Sequence, residues 1–167
     1  LKAGCRYFFV STWWEAERIR SLAGHADVAV LHGCGPSDRG VARLGVGRPV
    51  LNSVSQVARW RQEFSDLDCD VMVDTGMNRL GLRCDELGCL EGLRIHTLYS
   101  HLASADEDGA LNGIQLERFR SVVAAVPARR YSLANSAGTM LGPEYAFDLV
   151  RPGLALYGGI PRPEARG

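Results

Sequence analysis

Short runs of β-branched and aromatic residues alternate with helical patterns along nearly the whole chain, and this alternation limits the possible folds more than any other feature. Seven runs are typical of strands, and several are apolar on both faces, as buried parallel strands are. Strands separated by helices are joined by right-handed crossovers, so the sheet is either open and doubly wound or closed into a barrel. The seven predicted strands cover residues 7–10, 28–32, 49–52, 70–74, 95–101, 130–134 and 149–157.

The segment 33–36 helps to choose between these two architectures. It reads Gly-Cys-Gly-Pro, without the G-x-G-x-x-G spacing of a dinucleotide-binding turn and with Pro36 where that turn would continue into a helix. A complete eight-unit barrel takes about 250 residues, whereas this chain has 167. We therefore predict an α/β fold of the TIM-type (β/α)8 barrel class that is incomplete, with strands 2–8 present and the first strand missing.

Charge and apolar content exclude several classes of partner. The chain carries 19 Lys and Arg against 19 Asp and Glu without a basic run, which predicts no nucleic-acid partner. The longest apolar stretches, 28–31 and 122–126, are far shorter than the roughly 20 residues of a spanning helix, which predicts no membrane partner. The cysteines are odd in number and form no C-x-x-C pair, so we expect no disulfide framework, no metal site and a cytoplasmic location.

Polar residues follow four of the predicted strands, where a β/α barrel gathers its reactive groups. Arg79 lies in a glycine-containing turn over 74–81, and His101 ends the predicted strand at 95–101. The turn 135–138 reads Asn-Ser-Ala-Gly and is predicted to open a helix whose N–H groups suit a phosphate. Arg151 begins a motif in the last predicted strand, and like Arg79 it stays protonated at working pH. Together these loops predict a site for an anionic cofactor or substrate.

Four of these segments, in this order, resemble the barrel domain of alanine racemase. They are Val-Asp-Thr-Gly-Met-Asn-Arg-Leu-Gly at 73–81, Ser-His-Leu-Ala at 100–103, Ser-Leu-Ala-Asn-Ser at 132–136 and Arg-Pro-Gly-Leu-Ala-Leu-Tyr-Gly at 151–158. That family holds pyridoxal 5′-phosphate on a lysine of the first barrel strand and interconverts L- and D-alanine, which supplies D-alanine for peptidoglycan. The resemblance implies this cofactor, a small amino-acid substrate and a cytoplasmic homodimer.

The resemblance also implies roles for individual residues. Arg151 donates to the pyridine nitrogen and leaves it neutral, which makes the cofactor a weaker electron sink and favours racemisation over transamination or elimination. His101 links Arg151 to the family's catalytic tyrosine and tunes that base. Arg79 holds the substrate carboxylate or the cofactor's phenolic oxygen. The residues implied for cofactor binding, chiefly at the phosphate, are Asn135, Ser136, Gly153 and Leu154, together with Arg151 at the ring.

The chain lacks two parts that the resemblance leads one to expect. Lys2 is its only lysine and precedes the family's second strand, so we expect the Schiff-base lysine upstream of Leu1. The β-rich domain that supplies the catalytic tyrosine is expected beyond Gly167. We accordingly predict a partial barrel that binds pyridoxal phosphate over residues 1–160, and the start of a linker over 161–167. We expect the 167-residue segment alone to be inactive and poorly stable, since it would leave unpaired sheet edges.

Two further departures concern one position and one crossover. Met72 stands where many members of the family carry a carbamylated lysine that steadies the neighbouring arginine, so Arg79 needs another anion or none. The stretch 82–93 is short for a crossover helix, and its glycines Gly88 and Gly92 disfavour one.

Three other functions fit the same residues. A serine or broad-specificity racemase is one, because the residues that select the side chain come largely from parts not present in these 167 residues. A non-catalytic barrel that carries pyridoxal phosphate is the second, although the motif at 151–157 differs from the corresponding carrier segment. The third is a barrel that binds another phosphorylated ligand at its mouth.

Overall fold

The computed structural model describes residues 2–166, and its centre is a parallel sheet. Six strands pair side by side in the order β1-β2-β3-β4-β6-β7, and the two-residue β5 pairs with the end of β4. Every pairing is parallel, as the strand–helix alternation predicts. The strands are β1 (Tyr7–Val10), β2 (Asp27–Val30), β3 (Arg48–Leu51), β4 (Cys69–Asp74), β5 (Leu82–Arg83), β6 (Ile95–Tyr99) and β7 (Arg130–Ser132).

Helices connect the strands, and two of them begin at side-chain caps. The Thr12 hydroxyl accepts the backbone N–H of Glu15, whose carboxylate accepts the N–H of Thr12, so α1 opens with a complete capping box. The Ser53 hydroxyl accepts the N–H of Gln56 at the start of α3. The α-helices are α1 (Trp13–Ala23), α2 (Arg39–Ala42), α3 (Val54–Glu63), α4 (Ala110–Ala125) and α5 (Gly153–Leu156).

The two faces of the sheet carry different residues. Buried side chains of α1, α3 and α4 form one apolar cluster with strand residues such as Val28, Leu51, Val71 and Leu98. A second, smaller cluster joins Ala29, Val50, Met72 and Tyr99, which come from β2, β3, β4 and β6. Helices therefore cover one face only, which is the arrangement of a β/α barrel, whose inner face is filled by strand side chains.

The predicted partial barrel is confirmed, and six of the seven predicted strands correspond to β1, β2, β3, β4, β6 and β7 within one or two residues. The prediction of a strand over 149–157 is wrong. Arg151 pairs with Asn135 through a single parallel bridge, and Gly153–Leu156 then forms the helical turn α5. Pro152 lacks the N–H that a continuing ladder needs, and its carbonyl instead accepts the N–H of Leu156.

The stretch 82–93 contains no α-helix, as its glycines predict. It begins with β5 and continues into a 3-10 helix over Leu87–Leu90. The linker predicted at 161–167 contains the 3-10 helix Pro163–Arg166, while Gly167 and Leu1 lie outside the described residues. Across residues 2–166, the helices are too short and too polar for any of them to cross a bilayer.

Candidate active site

The predicted site residues lie at the carboxyl ends of the strands, in two adjoining cavities. The larger cavity, called here the mouth cleft, has a volume of about 530 Å³, and its wall includes Arg79, His101, Arg151 and Gly153. The neighbouring cavity, called here the side cleft, measures about 440 Å³ and shares His101, Arg151 and Gly153 with the mouth cleft. Ser136 lines the side cleft. The four loops singled out in the sequence therefore converge on one region.

Arg151 is held against the ends of β6 and β7 by several acceptors. Its guanidinium donates to the Ser132 hydroxyl and to the carbonyl oxygens of Ser100 and Leu133, the last at 3.3 Å. The same group lies over the Tyr99 ring, 5.2 Å from its centroid. Burial lowers the pKa of Arg151 to about 10, which still leaves it protonated near neutral pH. Arg151 is therefore a permanent positive charge whose guanidinium group is held in one orientation.

The His101 imidazole lies between the Arg151 guanidinium and the Asn135 side-chain amide. Its Nδ1 is 3.4 Å from the guanidinium of Arg151, and its Nε2 is 3.4 Å from the Asn135 amide nitrogen. Burial lowers the pKa of His101 to about 4, and the charges of Arg151 and Arg79 act in the same direction. The ring is therefore neutral at pH 7, and Nδ1 is placed to accept from Arg151, which has no lone pair to offer.

Arg79 is presented by a turn that one carboxylate organises. Asp74 Oδ1 accepts the backbone N–H groups of Gly76 and Met77 at 2.8 Å and that of Asn78 at 3.1 Å. Asn78 then adopts a positive φ of 57°, a conformation that asparagine tolerates better than most residues. Arg79 is exposed and makes no hydrogen bond or ion pair with the described residues. Its charge is therefore available to an anion in the mouth cleft.

Ser136 and α5 line the side cleft together. The Ser136 hydroxyl oxygen accepts the backbone N–H of Ala155 at 3.1 Å, which ties the loop after β7 to this helical turn. Gly153 and Leu154 line the same cavity. Because its oxygen accepts from Ala155, the Ser136 hydroxyl keeps its own hydrogen to donate.

The turn at 135–138 does not open the helix that was predicted to bind a phosphate. The turn leads into a 3-10 helix of three residues, Gly138–Met140, and the Gly138 N–H is already donated to Asn135 Oδ1 at 2.9 Å. Asn135 Nδ2 donates to the Leu102 carbonyl at 3.3 Å. The Asn135 amide therefore holds two loops together and faces His101, and the Gly138 N–H is not free for a ligand.

The surroundings of Met72 and of Lys2 show whether a lysine lies near Arg79. Met72 belongs to the small inner cluster with Tyr99 and lines the mouth cleft near Arg79. Lys2 lines a separate cavity with Ile19 and Leu22 of α1. Within the described part of the chain, no lysine reaches the mouth cleft.

Three residues near the site were not predicted from the sequence. Tyr99 carries the Arg151 guanidinium on its ring. Asn52 lines the mouth cleft, and its position directly after β3 is a signal that could have identified it. Gln115 of α4 bonds to the loops that carry Arg79 and His101, and no local pattern marks it.

Comparison with known proteins shows the same family at every level. The model of the family "Alanine racemase, N-terminal domain" matches residues 1–161. The alanine racemase of Acidiphilium cryptum is 45% identical over 174 residues, which cover 98% of this chain and 49% of that protein. The alanine racemase of Methylobacterium sp. strain 4-46 is 43% identical, with 97% and 48% covered.

Solved structures agree with these sequence relatives. Alanine racemase from Bartonella henselae with covalently bound pyridoxal phosphate superposes with a TM-score of 0.88 at 36% identity, covering 96% of this chain and 50% of that one. The biosynthetic enzyme from Pseudomonas aeruginosa gives a TM-score of 0.84 at 30% identity, with 98% and 49% covered. The chain thus spans about half the length of these relatives, and it belongs to the alanine racemase N-terminal domain family.

Proposed function

We propose that this chain forms the cofactor-binding half of the active site of a pyridoxal-phosphate-dependent alanine racemase. The observation that carries the proposal is the convergence of Arg79, His101 and Arg151 on one cleft at the carboxyl ends of parallel strands. The names of the relatives and the cofactor in the Bartonella henselae structure support it. Because the chain spans half of those proteins, the activity is proposed for this half working together with the other half.

The mouth cleft suits a negatively charged, flat ligand. Leu31, Met72 and Leu156 contribute apolar wall, while Arg79 and Arg151 contribute positive charge. None of the described residues that line this cleft is acidic. An apolar cavity with a few convergent polar groups is the usual form of a small-molecule site, and pyridoxal phosphate has the matching chemistry.

Each predicted residue has a place in this proposal. Arg151 would donate to the pyridine nitrogen, and Arg79 would hold the substrate carboxylate or the phenolic oxygen of the cofactor. The Ser136 hydroxyl hydrogen, the backbone at Gly153 and Leu154, and the loop at Asn135 would face the phosphate. When bound, pyridoxal phosphate supplies an electron sink that acidifies the α-proton of an amino acid.

His101 is proposed to connect Arg151 to the tyrosine base that the resemblance predicts. Its neutral ring accepts a hydrogen bond from Arg151 at Nδ1 and has one N–H left to donate. His101 can therefore link the well-ordered Arg151 to the tyrosine by hydrogen bonds without carrying a charge of its own. The low pKa of His101, caused first by burial, supports this neutral role.

The remaining features of the function stay predictions. We propose that the Schiff-base lysine and the catalytic tyrosine come from outside these 167 residues, so that the segment alone does not racemise alanine. The division into residues 1–160 and 161–167, the homodimer, the cytoplasmic location and the supply of D-alanine for peptidoglycan rest on the resemblance.

A chimera tests the proposal directly. Residues 1–161 would replace the matching region of the Acidiphilium cryptum alanine racemase, and conversion of L-alanine and of L-serine would be followed by chiral chromatography. We expect the chimera to racemise alanine and to lose this activity on Arg151→Ala. Arg120→Ala, which changes an exposed residue paired with Glu117, should leave the activity unchanged. A folded chimera that racemises only serine, or neither substrate, would refute the proposed activity.

A further inference from the structure

Gln115 is a fully buried amide of α4 whose hydrogen bonds end on the loops that carry Arg79 and His101. Its Oε1 accepts the backbone N–H of Ala103 at 2.9 Å. Its Nε2 donates to the His101 carbonyl at 2.9 Å and to the Thr75 hydroxyl at 3.3 Å. One side chain therefore joins the loop after β4 to the loop after β6.

The surroundings of Gln115 leave these loops little room to move. The hydroxyls of Thr75 and Ser100 lie 2.7 Å apart in the interior, and Arg118 of α4 donates to the Thr75 carbonyl at 3.0 Å. A Cβ atom at Gly76 would lie 3.0 Å from the Arg118 guanidinium and 3.6 Å from the Gln115 side chain. The turn that presents Arg79 is thus packed directly on α4.

We propose that Gln115 is a positioning residue, which fixes the Arg79 turn relative to His101 across the mouth cleft. Gln115 does not line either cleft, so it acts through the residues it holds. What those residues do rests on the proposed function, but the coupling between the two loops rests only on the contacts of Gln115. A displacement of about 1 Å at such a site is enough to cost roughly 100-fold in rate.

Asn112 offers a matched control one turn earlier on α4. It is also a buried amide, and its Nδ2 donates to the carbonyls of Ser104 and Glu107 in the same loop that contains His101. It bonds to neither His101 nor Thr75. Loss of either amide leaves buried backbone groups unpaired and lowers the stability of the fold. Only Gln115, however, joins the two loops.

The test compares Gln115→Met and Asn112→Leu in the chimera with the Acidiphilium cryptum alanine racemase described above. The readout is the pKa of His101, measured by NMR from its ring resonances, because Arg151 and Arg79 face this ring and Asp106 lines its cavity. Gln115→Met should admit water and let Arg79 move away, so the pKa of His101 should rise towards about 6.5, the ordinary value. Asn112→Leu should lower the urea midpoint but leave this pKa unchanged.

A second variant keeps the test decisive if Gln115→Met does not fold. Thr75→Val preserves volume and removes the hydroxyl that Gln115 bonds, so it should raise the pKa of His101 in the same direction by a smaller amount. Equal values for Gln115→Met and Asn112→Leu, or an unchanged value in both Gln115→Met and Thr75→Val, would overturn the positioning role.

The activity of the chimera separates this inference from the proposed function. If the chimera with native Gln115 racemises alanine, Gln115→Met should reduce its kcat/KM about 10- to 100-fold, well beyond the effect of Asn112→Leu. If that chimera is inactive, the proposed function fails, while the NMR comparison still decides whether Gln115 positions the two loops.

Discussion

The Arg151 guanidinium lies 3.4 Å from Nδ1 of His101, and the two side chains come from chain segments fifty residues apart. The parallel bridge between Asn135 and Arg151 brings them together, because it places Arg151 beside the end of β7. A neutral imidazole beside a fixed guanidinium is favoured, since protonation of His101 would set two positive charges against each other. The pKa of His101 therefore reports how deeply its ring is buried and how close the charges of Arg151 and Arg79 lie.

Replacing Arg79 by Met should raise the pKa of His101 without affecting the fold. The charge of Arg79 contributes to the lowering of that pKa, and Arg79 makes no bond to a described residue that the substitution would break. We expect a modest rise in an NMR titration of the His101 ring, with the free energy of unfolding changed by less than about 0.5 kcal/mol. Arg120→Met is the control, and an equal pKa change there would contradict a local effect.

Replacing Arg151 by Glu should change the partition between reactions in the chimera. Arg151 keeps its proton, so a ring nitrogen that accepts its hydrogen bond stays unprotonated, whereas a glutamic acid can transfer a proton to that nitrogen. We expect slower racemisation and more pyruvate per turnover, measured by chiral chromatography and a coupled pyruvate assay.

The Arg151→Lys variant separates charge from proton transfer in that experiment. Lysine retains the positive charge beside His101 but loses the planar group that reaches the Ser100 and Leu133 carbonyls together. We expect slower racemisation with little extra pyruvate. The same partition in all three proteins would argue against the electronic role of Arg151.

Replacing Gly81 by Ala should strain the turn that presents Arg79. Gly81 has a φ of 119°, and a Cβ atom there would lie 2.8 Å from the Asp74 nitrogen and 2.9 Å from the Val73 carbonyl carbon. Such contacts with backbone, added to an unfavourable dihedral, should cost about 1–3 kcal/mol. Gly88→Ala is the matched control, because no atom lies within 4 Å of its added Cβ. Similar urea midpoints for the two variants would contradict the close approach.

Most of the sheet could be predicted from the sequence because its strands are buried, and burial favours continuous apolar runs such as Val-Ala-Val at 28–30. The error at 149–157 has a local cause. Apolar residues continue through Leu154 and Leu156, but Pro152 interrupts the ladder and the following residues turn into α5. The two-residue β5 is too short to leave a periodic signal.

The site was predictable to the extent that its residues follow strands. Arg79, His101 and Arg151 all lie just beyond a strand end or at a bridge, so the parallel topology alone brings them together. Gln115 and Asn112 are different, because polar residues on a helix are usually exposed. Their burial depends on loops contributed by distant parts of the chain, which no pattern within α4 can indicate.

The ion pair between Arg48 and Asp70 should be far more sensitive to substitution than surface pairs are. Asp70 is fully buried, and Arg48 Nε donates to its Oδ1 at 3.2 Å, with further bonds from the Thr97 N–H and the Tyr99 hydroxyl. Burial raises the pKa of Asp70 to about 6, although Arg48 opposes that rise. Arg48→Met removes the cation and leaves a buried carboxylate unpaired, which should cost about 3–5 kcal/mol at pH 8.

The pH dependence of this loss has a definite sign. Without Arg48, the pKa of Asp70 in the folded protein rises further above the unfolded value of about 3.9, so the folded state binds more protons than the unfolded state as the pH falls from 8 to 5. The free energy of unfolding of Arg48→Met should therefore approach that of the wild type at low pH.

Urea titrations at several pH values would measure this change in the free energy of unfolding. Arg83→Met is the control, because it breaks the exposed pair with Asp85 and should cost about 0–1 kcal/mol at every pH. Recovery of stability at pH 8 in Arg48→Met/Asp70→Leu would identify the unpaired carboxylate as the cause, whereas a loss that does not vary with pH would show that Arg48 acts mainly by packing.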